Sequence, residues 1–297
     1  MAKMDNISRI IGKYGGKEDG PLLLVTAGVH GNEPSGVLAL QKIFKELEQS
    51  KMAIKGTFLG LFGNKKALQQ GKRYIDEDLN RTWTKENLKK DNPDSHEQQE
   101  MKEIVELLEN YSEKQFPERF FMDCHTTSSD SLPYISVQEV GKNDAFAHKF
   151  PLHIVRGFSD IVNGSIDKYF SQQGFTGFTF EGGQHTAETT QANQEAMIWL
   201  ALKEVNGADL NLLPRFPDCI ERLEGGQTTF EIIYRHGLED NDEFRMEPGF
   251  KNFQKIKKDE LLAIQNGKEI RSEWDATIFM PLYQSQGNDG FFIIKEV

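Results

Sequence analysis

Two histidines and a glutamate stand where apolar runs break off. Leu22-Leu23-Leu24-Val25-Thr26-Ala27-Gly28-Val29 leads into His30-Gly31-Asn32-Glu33, and Arg119-Phe120-Phe121-Met122-Asp123-Cys124 leads into His125. Continuous apolar runs of this kind read as strands buried on both faces, so each polar group is expected at a strand's carboxyl end. Two imidazoles and one carboxylate form a three-donor set with one coordination position left over. Catalytic zinc sites have that composition, the spare position taking the water that the metal activates. A third strand, Phe178-Thr179-Phe180, delivers Glu181, competent either as a ligand or as an acid–base group. In an open parallel sheet, ligands bind beyond the carboxyl ends of the strands. A lone His-x-x-Glu ordinarily means a hydrogen-bonded histidine near a surface glutamate; the convergence of three segments on one edge is what carries the metal reading.

The neighbouring polar residues have plainer explanations. Cys124 faces away from His125, because successive strand residues point to opposite sides, and reads as a packed core thiol. Asp76 and Asp78 are expected as loop or helix-cap acids rather than ligands, with Asp78 placed to orient Arg73 or Arg81. His96, His148, His153, His185 and His236 have no partner at metal-ligand spacing. They read as surface or hydrogen-bonded histidines, His185 being the alternative base because it lies close to Glu181. Tyr74, Tyr169 and Tyr283 read as packing residues, or one of them as a hydrogen-bond donor in the pocket. Gly28 and Gly31 fit a chain turning sharply to aim His30.

The elements that must hold these groups alternate. Pro34 stands where a helix can begin, and Val37, Leu40, Phe44 and Leu47 follow at helical spacing. Thr57–Phe62 is the next strand. Ser95 and Gln98 form a capping box opening a helix with Met101, Ile104, Val105 and Leu108 on one face. Phe120–Cys124 and Phe175–Glu181 are strands, and Ala187–Val205 is a helix closed by Gly207. This order predicts an α/β domain over residues 1–212, a mostly parallel or mixed sheet with helices on both faces. Past Leu212-Leu213-Pro214-Arg215-Phe216-Pro217 the texture changes. Thr228–Arg235, Asp275–Leu282 and Phe291–Lys295 are short strands broken by turn dipeptides. They predict a small β-domain over 213–297 that covers or shapes the active-site entrance. The four lysines between Lys251 and Lys258 read as a solvated surface.

Bulk composition excludes other classes. The chain has 297 residues, 37% hydrophobic and 27% charged, with a net charge of −11. That charge argues against nucleic acid, whose phosphates need a basic surface. It also requires local cations wherever an anionic substrate binds. The longest apolar run, about eight residues, is far below the roughly 20 of a membrane span, and the N-terminus lacks a secretory pattern. Two cysteines, Cys124 and Cys219, make no disulfide framework, so a reducing cytoplasm is expected. A homo-oligomer is compatible with the sequence.

Four ordered blocks carry a family resemblance: His30-Gly31-Asn32-Glu33, Arg73-Tyr74-Ile75-Asp76-Glu77-Asp78-Leu79-Asn80-Arg81, Asp123-Cys124-His125-Thr126-Thr127-Ser128 and Phe180-Glu181-Gly182-Gly183. Together they resemble the succinylglutamate desuccinylase/aspartoacylase family, a branch of the zinc-carboxypeptidase superfamily, over roughly residues 20 to 205. The resemblance implies one zinc per chain held by His30, Glu33 and His125, with Glu181 as general base. It implies Arg73 polarising the scissile carbonyl, and Asn80 with Arg81 gripping a small-molecule carboxylate. The chemistry agrees. Amide cleavage needs a base near the activated water and positive charge where the oxyanion develops, and an arginine can grip a carboxylate bidentately. One departure bears on substrate. The aspartoacylase branch has another substrate-binding arginine about ten residues before the glutamate, where this chain has Ser171, with Lys168 the nearest basic group; Gly164–Tyr169 looks more like the desuccinylase branch. The expected function is a zinc-dependent deacylase of N-acyl amino acids. The alternatives are a zinc carboxypeptidase, amidase or esterase acting on a short peptide or other acyl compound, and a non-catalytic zinc-binding module.

Overall fold

The computed structural model describes residues 8–15, 18–138, 140–213, 221–223 and 226–297; Cys219 and the Pro214–Pro217 junction fall outside them. The chain opens with β1 (Ile10–Gly15), β2 (Glu18–Ala27), α1 (Ser35–Ser50), β3 (Lys55–Phe62) and the short α2 (Lys65–Gln70). Then come α3 (His96–Leu108), β4 (Arg119–Thr127), β5 (Tyr134–Val137), α4 (Lys142–Ala147), β6 (His153–Arg156), α5 (Ile166–Gln172), β7 (Thr176–Gln184) and α6 (Thr190–Asn206). The C-terminal third is β8 (Thr229–Gly237), β9 (Phe244–Met246), β10 (Gln254–Ile256), β11 (Leu261–Gln265), β12 (Lys268–Arg271), β13 (Ala276–Phe279) and β14 (Asp289–Glu296).

Eleven strands form one sheet in the order β1-β3-β2-β4-β7-β5-β6-β8-β14-β13-β10, and β12-β11-β9 form a second, small one. Strands β3, β2, β4 and β7 run parallel. Strand β5 reverses against β7, so the sheet is mixed, of the class expected. Burial along β2 explains why its sequence is apolar throughout. Leu23, Val25 and Ala27 pack with Leu40, Ile43 and Leu47 of α1 and Met197 and Ile198 of α6. Leu22 and Leu24 pack on the other face with Met101 and Ile104 of α3 and Phe170 of α5. Both faces are covered, and solvent reaches neither.

Several local readings need correction. Strand β4 continues through His125 to Thr127, and β7 through Glu181 to Gln184, so these two groups lie within strands near their carboxyl ends. Pro34 is the N-cap of α1 rather than its first residue. The capping box is half formed. Ser95 Oγ accepts from Gln98 N at 3.1 Å, but Gln98 Oε1 accepts from Asp94 N, not from Ser95 N. Strand β8 pairs in parallel with β6 and antiparallel with β14. The main sheet therefore runs continuously across the boundary expected at residue 213, and only β9, β11 and β12 stand apart. Among the described residues no helix is long and apolar enough to cross a membrane.

Candidate metal centre and its surroundings

His30, Glu33 and His125 come together, all buried, with one donor atom from each within 4.8 Å of the others. Two loop features deliver the first pair. Gly28 takes φ of 70° to leave β2, a left-handed turn that a side chain would resist. Gly31 has ordinary φ but no room: a Cβ there would lie 2.0 Å from the Ala67 carbonyl carbon. Gly31 thus lets the His30 loop lie directly on α2.

Nδ1 of His30 lies 2.9 Å from Glu33 Oε1, and Nδ1 of His125 lies 3.2 Å from Glu33 Oε2. The opposite ring nitrogens face carboxylates: His30 Nε2 is 3.0 Å from Asp78 Oδ1, and His125 Nε2 is 2.7 Å from Asp123 Oδ2. Carboxylates in that position fix the tautomer and leave Nδ1 for a metal. Thr126 N donates to Glu33 Oε2 at 2.8 Å, completing the frame.

The electrostatics call for a cation. Glu33, Asp78 and Asp123 surround the two imidazoles, and among the described residues Arg73 is the guanidinium ion-paired with this group. Burial alone would raise the Glu33 carboxyl, but His30 and His125 hold it well below the usual carboxylate range. Burial would likewise lower His125, yet Asp123 and Glu33 push it well above its ordinary value. A proton compensates charge where a divalent ion would do so better. The donor set, its outer carboxylates and its charge balance all fit zinc.

Glu181 sits beside His125 in the ladder between β4 and β7. It is buried, and its Oε2 has no hydrogen-bond partner. Burial first, and then Glu33 and Asp123, raise its pKa to about 8 against the pull of His125 and Arg73. Arg73 Nη1 lies 3.5 Å from Glu33 Oε1. Its Nε and Nη2 donate to Asp78 Oδ2 at 3.2 and 3.0 Å, so Asp78 orients Arg73 as well as His30. Asn80 and Arg81 line the same cavity as His30, Glu33, His125 and Glu181. Arg81 is engaged across the cavity mouth, Nη2 donating to Asp289 Oδ2 at 2.8 Å. Asn80 Oδ1 accepts from Ile166 N at 2.9 Å.

The plainer readings also find their places. Asp76 Oδ2 accepts from His96 N at the start of α3. His185 borders the site, its ring nitrogens 2.6 Å from Thr126 Oγ1 and 3.2 Å from Gln284 Oε1. Tyr283 ties a loop through Glu247 O and Phe250 N, and Tyr169 packs on Trp83. Cys124 is buried and free. Sequence reasoning missed four residues. Asp123 was findable, since two residues before His125 on one strand is the same face. Glu97 accepts from the backbone N–H groups of Ile75, Asp76 and Glu77, and so straps the Arg73–Arg81 loop to α3. Asp167 and Asp289 line the cavity, with no local signal to mark them.

A buried two-histidine, one-carboxylate group, beside a glutamate with one unpartnered oxygen and near the carboxyl edge of a mixed sheet, is a donor set that could hold a metal ion next to an acid–base group. Residues 19–203 match the family model described as succinylglutamate desuccinylase/aspartoacylase catalytic domain, and the chain belongs to that family. It is 29% identical over 302 residues to a probable aspartoacylase of Prochlorococcus marinus (strain NATL2A), covering 93% of this chain and 90% of that one. It is 25% identical over 267 residues to a succinylglutamate desuccinylase of Serratia proteamaculans (strain 568), covering 85% and 78%. The solved succinylglutamate desuccinylase of Vibrio cholerae shares the fold, with TM-score 0.70 at 14% identity over 94% of this chain and 82% of that one.

Proposed function

We propose that this protein is a zinc-dependent deacylase hydrolysing the amide bond of an N-acyl amino acid or related small carboxylate. The observation that carries this reading is Glu181, a buried carboxyl with an unpartnered oxygen beside the His30–Glu33–His125 group. Zinc held by those three residues would supply Lewis acidity, acidifying water and polarising a carbonyl. Glu181 accepts the proton of the attacking water and returns it to the leaving amine, two transfers that one carboxyl can make by cycling between its protonated and ionised forms. Arg73, held by Asp78 and directed at the metal group, offers a fixed positive charge to the carbonyl oxygen as it becomes an oxyanion. Arg81 and Asn80 take the substrate carboxylate, which must draw Arg81 from Asp289.

Met280, just after β13, and Phe292 of β14 line the same cavity as the metal group, so the C-terminal part bounds the space open to the substrate. Two cysteines, of which Cys124 is a buried free thiol, are consistent with a cytoplasmic enzyme. The test is amine release from a panel of N-acyl amino acids by wild type and Glu181→Gln. The variant should keep its metal and lose at least about 100-fold in kcat. An unchanged kcat would remove Glu181 from the mechanism.

A further inference from the structure

One carboxylate of the C-terminal part lies between two guanidinium groups. Asp289, the first residue of β14, accepts from Arg81 Nη2 through Oδ2 at 2.8 Å and from Arg235 Nε through Oδ1 at 2.5 Å. The side chains are 18% exposed for Asp289, 24% for Arg81 and 30% for Arg235, so the two ion pairs are only partly screened by solvent. The two arginines differ in position. Arg81 and Asp289 line the metal cavity, and Arg235 is not among the described residues of that lining. Arg235 stands on β8, opposite Phe292 in the ladder with β14, and reaches Asp289 from the side away from the metal group.

This pairing can change without moving the chain. The backbone on either side of Asp289 is pinned: Asn288 O accepts from Leu238 N at 2.8 Å, and Gly290 O from Leu282 N at 2.9 Å. Arg81 is fixed as well, its backbone N–H donating to Asp78 O and its Nη1 to Asn80 O, both at 2.8 Å. Asp289 is therefore not the group that keeps Arg81 in the cavity. Its carboxylate instead occupies the guanidinium that the proposed function assigns to the substrate, and the substrate must displace it. A partly buried charge stripped of its partner is costly. Trading one carboxylate for another on Arg81, with Asp289 kept by Arg235, leaves every charge paired.

We propose that Asp289 is an internal stand-in for the substrate carboxylate, and that Arg235 is a positioning residue that retains Asp289 when the substrate takes Arg81. This rests on the deacylase reading and adds to it a partner for the displaced carboxylate outside the cavity. The exchange reduces apparent affinity according to the fraction of molecules in which Arg81 is engaged. Asp289→Asn keeps an acceptor and removes the charge, so it should bind substrate more tightly. Arg235→Gln deprives Asp289 of its second cation, so it should bind substrate more weakly. The experiment takes the zinc-loaded wild type, both single variants and the double variant. It measures kcat and KM for the best-cleaved N-acyl amino acid of the panel, with its α-carboxamide as control. KM for the acid should fall about three- to fivefold in Asp289→Asn and rise by a similar factor in Arg235→Gln. The Arg235→Gln effect should vanish in the Asp289→Asn background, whereas two charges acting only through the general field would act additively. The carboxamide should show neither shift. A raised or unchanged KM in Asp289→Asn, no loss in Arg235→Gln, the same loss in both backgrounds, or equal shifts with the carboxamide would overturn the proposal and leave the deacylase reading in place. If nothing in the panel is cleaved, the deacylase reading fails, and calorimetric binding of N-acetylglycine and N-acetylglycinamide reads the same cycle. Acid binding that shifts as above then upholds the exchange, and no acid binding by any of the four proteins overturns it.

Discussion

Asp78 bonds both His30 and Arg73, so one carboxylate aligns the proposed metal donor with the proposed oxyanion partner, and the two arginines of its loop should fail differently when replaced. If Arg81 grips the substrate carboxylate as proposed, that contact exists in ground and transition states alike, so Arg81→Ala should mainly raise KM. The charge proposed to face Arg73 develops only during reaction, so Arg73→Ala should lower kcat and kcat/KM together by about 100-fold or more. Steady-state kinetics of both variants on one N-acyl amino acid and its methyl ester separate the roles; equal use of acid and ester by wild type and Arg81→Ala would remove Arg81 from carboxylate binding. The pH profile follows from Glu181, whose carboxyl is raised to about 8 without a metal. A base works only unprotonated, so kcat/KM should rise with pH along an acid limb. The charge of bound zinc should draw that limb's midpoint below 8, and the limb should be absent from the residual activity of Glu181→Gln. At this scale the sequence was informative wherever a residue's role depended on its own strand. His30, Glu33, His125 and Glu181, which the structure brings to one cavity, follow apolar runs in the sequence. Asp289 does not, because its partner Arg81 lies 208 residues away.

The elements hold the site through two contacts that can be cut separately. Glu97, buried in the first turn of α3, gathers three backbone N–H groups of the Arg73–Arg81 loop and Asn64 Nδ2. Glu97→Ala should leave α3 intact by circular dichroism while weakening metal affinity by about 10–100-fold, the usual scale for loss of an outer support. Unchanged affinity would mean that the loop holds itself. Gly31→Ala should press a methyl group into the backbone of α2, costing about 1–3 kcal/mol and displacing His30; its thermal unfolding and zinc affinity read both effects. The long apolar strands β2, β4 and β7 were legible, as were the buried faces of α1 and α3. The four-residue strands β5 and β6 were not, being too short for any period to emerge. They are strands because β7 and β8 flank them.

Across the whole molecule, the C-terminal strands share a core with the α/β part. Tyr134 and Val155 pack with Phe230, Phe279, Phe292 and Ile294. The chain should therefore unfold in one calorimetric transition, with the van't Hoff and calorimetric enthalpies equal. Two resolved transitions would restore the separate domains drawn at residue 213. The change of texture past Leu213 was visible in sequence. The parallel pairing of Ile154 with Thr229, which joins the two parts into one sheet, was not, since no local pattern records which distant strand a strand will meet.

The proposed function rests on zinc binding by His30, Glu33 and His125, the three buried donors brought together near the carboxyl edge of the sheet. The most direct measurement titrates zinc into chelator-treated protein while following amine release from an N-acyl amino acid. Activity should be lost on chelation, return in full at about one equivalent of zinc, and never return in His125→Ala. Full hydrolysis by the metal-free protein, or stoichiometric zinc retained by the His30→Ala, His125→Ala double variant, would contradict it.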